Sequence, residues 1–301
     1  MTAQAERRSN PWLLAARPRT LPAAVAPIIA AVALAFYHGF FNATLAVLAL
    51  LCALGLQIMV NLANDLFDAE RGIDGADRLG PTRVTQSGLI SPANMRRALW
   101  LTLLFCLLTG LPLVYVGGWP LTLAGMASIL AALAYSAGPW PLANHGLGEV
   151  AVLIFFGLVA VIGCYWLQSA HWHIASLWVG LMVGLPCCAI LMVNNIRDIE
   201  SDRRSGKRTL AVRFGRTWAN RLYRAALFSP FVLSIVAASL GHLPALLVLA
   251  MVPSLFWAWR LDQQVRQFQG RELNALLART ALYELRVSLL IAIALLGLGL
   301  F

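Results

Sequence analysis

Apolar stretches long enough to cross a lipid bilayer recur along almost the whole sequence. A hydrocarbon core of ~30 Å takes about 20 helical residues, and inside it every backbone N–H and C=O must be satisfied by the protein itself. The chain therefore reads as all-α, a polytopic membrane protein with nine candidate spans at 21–37, 43–63, 98–117, 119–137, 147–168, 174–196, 222–240, 243–260 and 280–300. Only 12% of its residues are charged, about half the fraction usual in a soluble domain. Arg7, Arg8, Arg17 and Arg19 before an apolar run resemble a secretory signal. Pro22 and Pro27 inside that run, and eight further spans, argue for a first membrane helix instead.

Charge is distributed by side of the membrane. Basic residues number four before the first span, five in 64–97, eight in 197–221 and four in 260–279, while 38–42, 118, 169–173 and 241–242 hold none. An odd number of spans with a cytoplasmic N-terminus puts all four basic segments on the cytoplasmic side. The net charge of +10 thus reads as topology, and its spread over four segments argues against a nucleic-acid partner. Cys52, Cys106, Cys164, Cys187 and Cys188 all fall in spans without C-x-x-C or zinc-ligand spacing, so neither disulfide nor zinc is expected.

The acids are not spread evenly. Of thirteen, five lie between Asp65 and Asp77 and three between Asp198 and Asp202, just past spans two and six. In "NLANDLFDAERGID", Asn61, Asp65 and Asp68 share a helix face, with Asn64 beside Asp68; in "NNIRDIESD", Asn194, Asp198 and Asp202 do the same. Both contain Asn-x-x-x-Asp. Carboxylates at helix C-termini are unfavourable against the helix dipole and call for positive charge nearby. Two oxygen-rich helix ends without Cys or His suit Mg²⁺, which takes one or two carboxylates together with phosphate oxygens and water. The competing reading pairs these acids with Arg71, Arg78, Arg197 and Arg203 in solvated surface bridges. Arg78, Arg208 and Lys207, the one lysine in the chain, follow the clusters and suit phosphate, though Lys207 also fits a topology charge. Metal-binding acids, phosphate-binding cations and a surrounding bilayer point to a lipid diphosphate. A polyprenyl diphosphate satisfies this, as does a phospholipid.

At these residues the sequence resembles the UbiA superfamily of intramembrane prenyltransferases, and within it the branch acting on 1,4-dihydroxy-2-naphthoate in menaquinone biosynthesis. The resembling segments are "ARPRTLPAAVAPIIAAVALA", "QIMVNLANDLFDAERGIDGADRLGPTRVTQSGLISP", "YSAGPWPLANHGLGEVAVLIFFG" and "NNIRDIESDRRSGKRTLAVRFG", from Ala16 to Gly215. Two positions depart from the wider pattern: Gly72 stands where an aspartate is usual, with Asp74 two residues on, and Gly-Leu-Gly-Asp reads Gly-Leu-Gly-Glu at Glu149.

The resemblance implies a single transmembrane domain over 1–301, with 1–20 a cytoplasmic segment and the helices set around a central cavity in a bacterial cytoplasmic membrane. It implies two Mg²⁺ ions, one on Asn61, Asp65 and Asp68 and one on Asn194, Asp198 and Asp202, with Asp65, Asp68, Asp198 and Asp202 catalytic. Lys207, Arg78, Arg208 and Asn64 would hold the diphosphate, and Arg19, Arg83, Gln86 and Tyr135 the acceptor side. Tyr135 would face the allylic cation with its ring, or is simply an interfacial tyrosine. The implied reaction joins a polyprenyl group to the naphthoate with loss of CO₂. The alternatives are another acceptor, such as 4-hydroxybenzoate or homogentisate, and a cation-coupled transporter. The transporter reading is disfavoured because the acids gather at one face and no span is expected to bury an acid at mid-depth.

Overall fold

A computed structural model of the protein describes residues 10–72, 79–138 and 141–300. Arg78, expected at the diphosphate, and Asp74 and Asp77 lie outside the described residues. Among the described residues the regular structure is entirely helical. In order come α1 (Pro11–Ala16), a 3₁₀ turn (Pro18–Thr20), α2 (Pro22–Tyr37), α3 (Ala43–Glu70), α4 (Pro92–Ala134), a 3₁₀ turn (Leu142–His145) and α5 (Gly148–Ser169). These are followed by α6 (Ile174–Arg197), α7 (Ile199–Arg204), α8 (Leu210–Ser239), α9 (Leu246–Gln267), a 3₁₀ turn (Gly270–Glu272) and α10 (Leu273–Gly299).

Local chemistry sets the helix ends. The side chains of Asn42, Ser91 and Thr209 accept from the N–H groups of Leu45, Asn94 and Val212 at 3.1, 3.3 and 3.3 Å, satisfying donors that a helix start leaves open. Inside α4, Gly118 takes φ 68°, ψ −157° and Pro120 follows, so this element is two helices meeting at a sharp kink. In α5 the turns from Leu153 to Val159 are π-helical, a local widening that shifts the register of the side chains after it.

The long helices close into a ring in the order α2, α3, α4, α5, α6, α8, α9, α10 and back to α2, with α6 also touching α2 and α10. The α5–α6 contact is backbone on backbone. A Cβ added to Gly157 would lie 2.8 Å from Gly180 O, and one on Gly184 would lie 2.7 Å from the Gly157 Cα. Small residues at such crossings let membrane helices approach closely enough for dispersion to hold them. Outside the ring, Trp100, Leu108, Tyr115 and Trp119 of α4, Leu249 of α9 and Ile293 of α10 are exposed, a surface matched to lipid tails and mismatched to water. All five cysteines are free thiols.

Among the described residues six helices are long and apolar enough to cross a membrane, or seven if the bent pair Pro11–Thr20 and Pro22–Tyr37 forms one span. The nine spans expected from sequence divide α4 at Gly118 and include α9, which is not among the six. A second expectation is corrected outright: Glu284, near the middle of the 27-residue α10, is fully buried and neither carboxylate oxygen has a hydrogen-bond partner. It lies outside both acidic clusters in the sequence, and helical spacing within a cluster says nothing about it.

The glycine contact gives a first expectation. Gly184→Ala forces α5 and α6 apart and costs about 1–3 kcal/mol, the range for overpacking a close contact. Thermal unfolding in detergent should show it, while Gly125→Ala, at a position with open space around a Cβ, serves as the neutral control.

Candidate active site

A cavity of about 720 Å³ opens within the ring. Its deep wall is apolar, built by Pro27, Ile28, Leu56, Phe155, Phe156 and Val159, and at one end the lining turns polar: Asn61, Asn64, Asp68, Asn194, Asp198 and Asp202 all reach it. The two acidic helix ends, some 130 residues apart in sequence, thus face the same space.

The last turns of α3 supply the first group. At ~100° per residue, Asn61, Asn64 and Asp68 fall within one sector of the helix, and this sector faces the cavity. Asp65 sits on the flank of that sector, on the side away from Asn64, and does not line the cavity. Its carboxylate is 1% exposed and accepts from the backbone N–H groups of Val84 and Thr85 at 3.1 and 2.8 Å. Buried backbone donors need acceptors, and Asp65 meets that need by fastening the loop that carries Arg83. Asp68 then receives Arg83 at 2.5 Å in a buried pair and stands 3.9 Å from Lys207 Nζ. Asn64 accepts from the Ser136 hydroxyl. The Asn61 amide donates to Ala16 O and Thr20 Oγ1, tying the N-terminal turns to α3.

Arg197, at the end of α6, organises the second group. It donates to both oxygens of Asp198 at 2.8 and 2.6 Å, to Asn194 Oδ1 at 2.6 Å and to Asn274 of α10 at 2.6 Å. Its side chain is 1% exposed, so this pairing is buried, unlike the solvated bridge weighed from sequence. The surface pair Arg203–Glu200 does match that description. Asp202, on α7, lines the cavity, and its backbone carbonyl accepts from Lys207 N. Gly206, at φ +78°, makes the turn that sends Lys207 back over the cavity toward Asp68.

The remaining expected residues divide. Arg83 and Tyr135 line the cavity. Arg208 does not; it borders a neighbouring recess with Arg71 and Arg213. Arg19 and Gln86 are exposed and outside the cavity lining, because the 3₁₀ turn at Pro18–Thr20 aims Arg17 and Thr20 inward and the 84–88 turn presents Gln86 outward. Arg17, at φ 52° in the left-handed region that non-glycine residues rarely adopt, lines the cavity, although Arg19 of the same segment is the residue expected there. His38 shares a hydrogen bond with Tyr165 beside His173 at the far end of the bundle. Burial, and then His173, hold its pKa below the ordinary histidine value.

The acids and amides gathered at the polar end offer oxygen ligands, with the hydroxyls of Ser201 and Ser205 beside them. Among the described residues no three His, Cys, Asp or Glu side chains form a ligand set by themselves. A hard divalent ion fits here when a bound ligand supplies further oxygens, which is how Mg²⁺ is commonly held with diphosphates.

The UbiA prenyltransferase family model matches residues 24–282. The chain belongs to the UbiA prenyltransferase family. It is 42% identical over 238 residues to 1,4-dihydroxy-2-naphthoate octaprenyltransferase of Escherichia coli, covering 77% of each chain. The protein of that name from Haemophilus influenzae is 36% identical, covering 95% of each, and human UbiA prenyltransferase domain-containing protein 1 is 30% identical, covering 92% of this chain and 81% of its own. A UbiA homologue from Aeropyrum pernix shares the fold with a TM-score of 0.69 at 18% identity, covering 91% of this chain and 97% of the other. Another from Archaeoglobus fulgidus, bound to DMAPP and Mg²⁺, gives 0.66 at 17%, covering 94% and 100%. Membership of the UbiA family removes the transporter reading.

Asp65 and Asp68 should therefore behave differently. Asp65→Ala leaves two buried N–H groups unpaired and lowers stability by about 2 kcal/mol or more, read as a fall in melting temperature. Asp68→Asn keeps the shape of the site but leaves the buried Arg83 without its carboxylate, so it should lower both melting temperature and activity, whereas Asp65→Ala acts first on the 84–85 backbone.

Proposed function

We infer that this protein transfers a polyprenyl group from polyprenyl diphosphate to 1,4-dihydroxy-2-naphthoate with loss of CO₂, giving demethylmenaquinone. The observation that carries this reading is one cavity with an apolar interior and a mouth where two oxygen-rich helix ends meet the buried Arg83 and the half-buried Lys207. The choice of acceptor rests on relatives 36–42% identical that bear that name. The chain lies in a bacterial cytoplasmic membrane, crossing it nine times with its N-terminus and the acidic helix ends on the cytoplasmic side, as the basic loops favour.

In this reading the isoprenoid tail lies along Ile28, Leu56, Phe155 and Phe156, and the diphosphate sits among Lys207, Arg83 and Arg17 at the mouth. Asn64 and Asp68 on one side, and Asn194, Asp198 and Asp202 on the other, would hold two Mg²⁺ ions together with diphosphate oxygens. Bound there, Mg²⁺ neutralises charge on the departing diphosphate. Lys207 and Arg83 add fixed positive charge at the same place. The apolar walls keep water from the allylic cation, and Tyr135 offers it a π face. Arg208 and Arg71 border the recess beside the mouth, where a released diphosphate would meet positive charge.

Purified protein should join labelled polyprenyl diphosphate to dihydroxynaphthoate in a Mg²⁺-dependent reaction that EDTA abolishes. Asp68→Asn and Asp202→Asn should each lower kcat/KM by about a hundredfold or more, as loss of a metal-centred contribution of several kcal/mol requires. Turnover of 4-hydroxybenzoate with none of dihydroxynaphthoate overturns the acceptor assignment.

A further inference from the structure

Glu149 takes no part in the chemistry described so far. It stands in the first turn of α5, 7% exposed, and one carboxylate oxygen accepts from the Asn195 side-chain amide at 2.8 Å. The other oxygen is buried and has no hydrogen-bond partner. Arg83, Lys207 and Arg197 answer Asp68 and Asp198; among the described residues none of the cations pairs with Glu149. Asn195 lines the cavity and Glu149 does not. Glu149 therefore reaches the reaction space through the amide it holds. With its nitrogen turned to Glu149, the planar amide turns its carbonyl oxygen away. The Tyr135 hydroxyl borders the same corner, 3.4 Å from where a Cβ on Gly148 would stand.

We propose that Glu149 is a positioning residue that clamps and polarises the Asn195 amide, so that Asn195 Oδ1 accepts a hydrogen bond from a phenolic hydroxyl of the aromatic acceptor. An amide donating to a carboxylate carries more negative charge on its oxygen, which strengthens it as an acceptor. An ionised Glu149 behind Asn195 makes that corner of the cavity negative and rich in lone pairs. It repels the diphosphate and the acceptor's own carboxylate and receives an O–H donor, so charge keeps the diphosphate out of this corner and turns the acceptor with a hydroxyl toward Asn195. Holding the phenolic proton along an O–H···O bond also leaves more electron density on the ring that attacks the allylic cation. No proton changes owner in this arrangement.

The proposal rests on the aromatic-acceptor reading above, and kinetics on the purified full-length protein separate the two. Wild-type turnover of dihydroxynaphthoate tests that reading; without it, the same measurements are made on whichever phenolic acceptor is turned over. Glu149→Ala and Asn195→Ala should each raise the acceptor KM by about tenfold, the scale of a lost hydrogen bond to a substrate hydroxyl. The KM for polyprenyl diphosphate should stay within about twofold. Because the two residues act as one unit, the double variant should be no worse than the worse single variant. Glu149→Gln keeps the shape but loses the charge; it should raise acceptor KM by a smaller factor, and that rise should vanish in an Asn195→Ala background. If Glu149→Ala does not fold, Glu149→Gln with and without Asn195→Ala carries the test. An unchanged acceptor KM, equal changes in both KM values or additive effects in the double variant overturn the proposal.

Discussion

Asp68 is a carboxylate buried in a bundle surrounded by hydrocarbon, and it stays there because cations reach it from two distant segments. Arg83 arrives on the loop after α3 and Lys207 on the turn after α7. A buried charge without partners would cost several kcal/mol, so this convergence links the first acidic helix end to the second. The same requirement appears at Arg197, which holds Asn194, Asp198 and Asn274 together and so binds α6 to α10. The polar end of the cavity is therefore a charge-balanced network, already arranged around the place where a further anion and its metal would enter.

The apolar remainder of the cavity follows from how closely the helices can approach. Gly157 meets Gly180 and Gly184 with no side chain between, which draws α5 and α6 together along one line. Just there α5 is π-helical, and Phe155, Phe156 and Val159 turn toward the cavity. Close backbone contact on one side of α5 and bulky apolar side chains on the other leave a space shaped for a chain of hydrocarbon, walled from water and open at the charged mouth.

Much of this is readable from residue order. Runs of apolar residues place the helices, and Gly118 marks the break between the third and fourth expected spans. The clustering of eight acids behind two spans marks both helix ends of the site. Other parts are not readable. Asp65 and Asn64 are neighbours, and spacing alone favours Asp65 as the partner of Asn61, yet Asn64 reaches the cavity and Asp65 holds the 84–85 backbone. Arg17 and Arg19 differ only in which side of a single 3₁₀ turn they occupy. Glu149 and Asn195 lie 46 residues apart, and no local pattern connects them.

The sequence by itself determined that this is a helical membrane protein of the UbiA family with oxygen-rich side chains clustered at two helix ends. Hydrophobic length, charge placement and the i, i+3, i+4 periodicity are properties of residue order. Tertiary structure alone decided which side of each helix faces the cavity, which acid fastens a loop and which lines the cavity, and which cation answers which carboxylate. Periodicity relates residues around one helix axis; the rotation of that axis is set by packing against neighbours, and the partners of a buried charge by what the folded chain brings within a few ångströms of it.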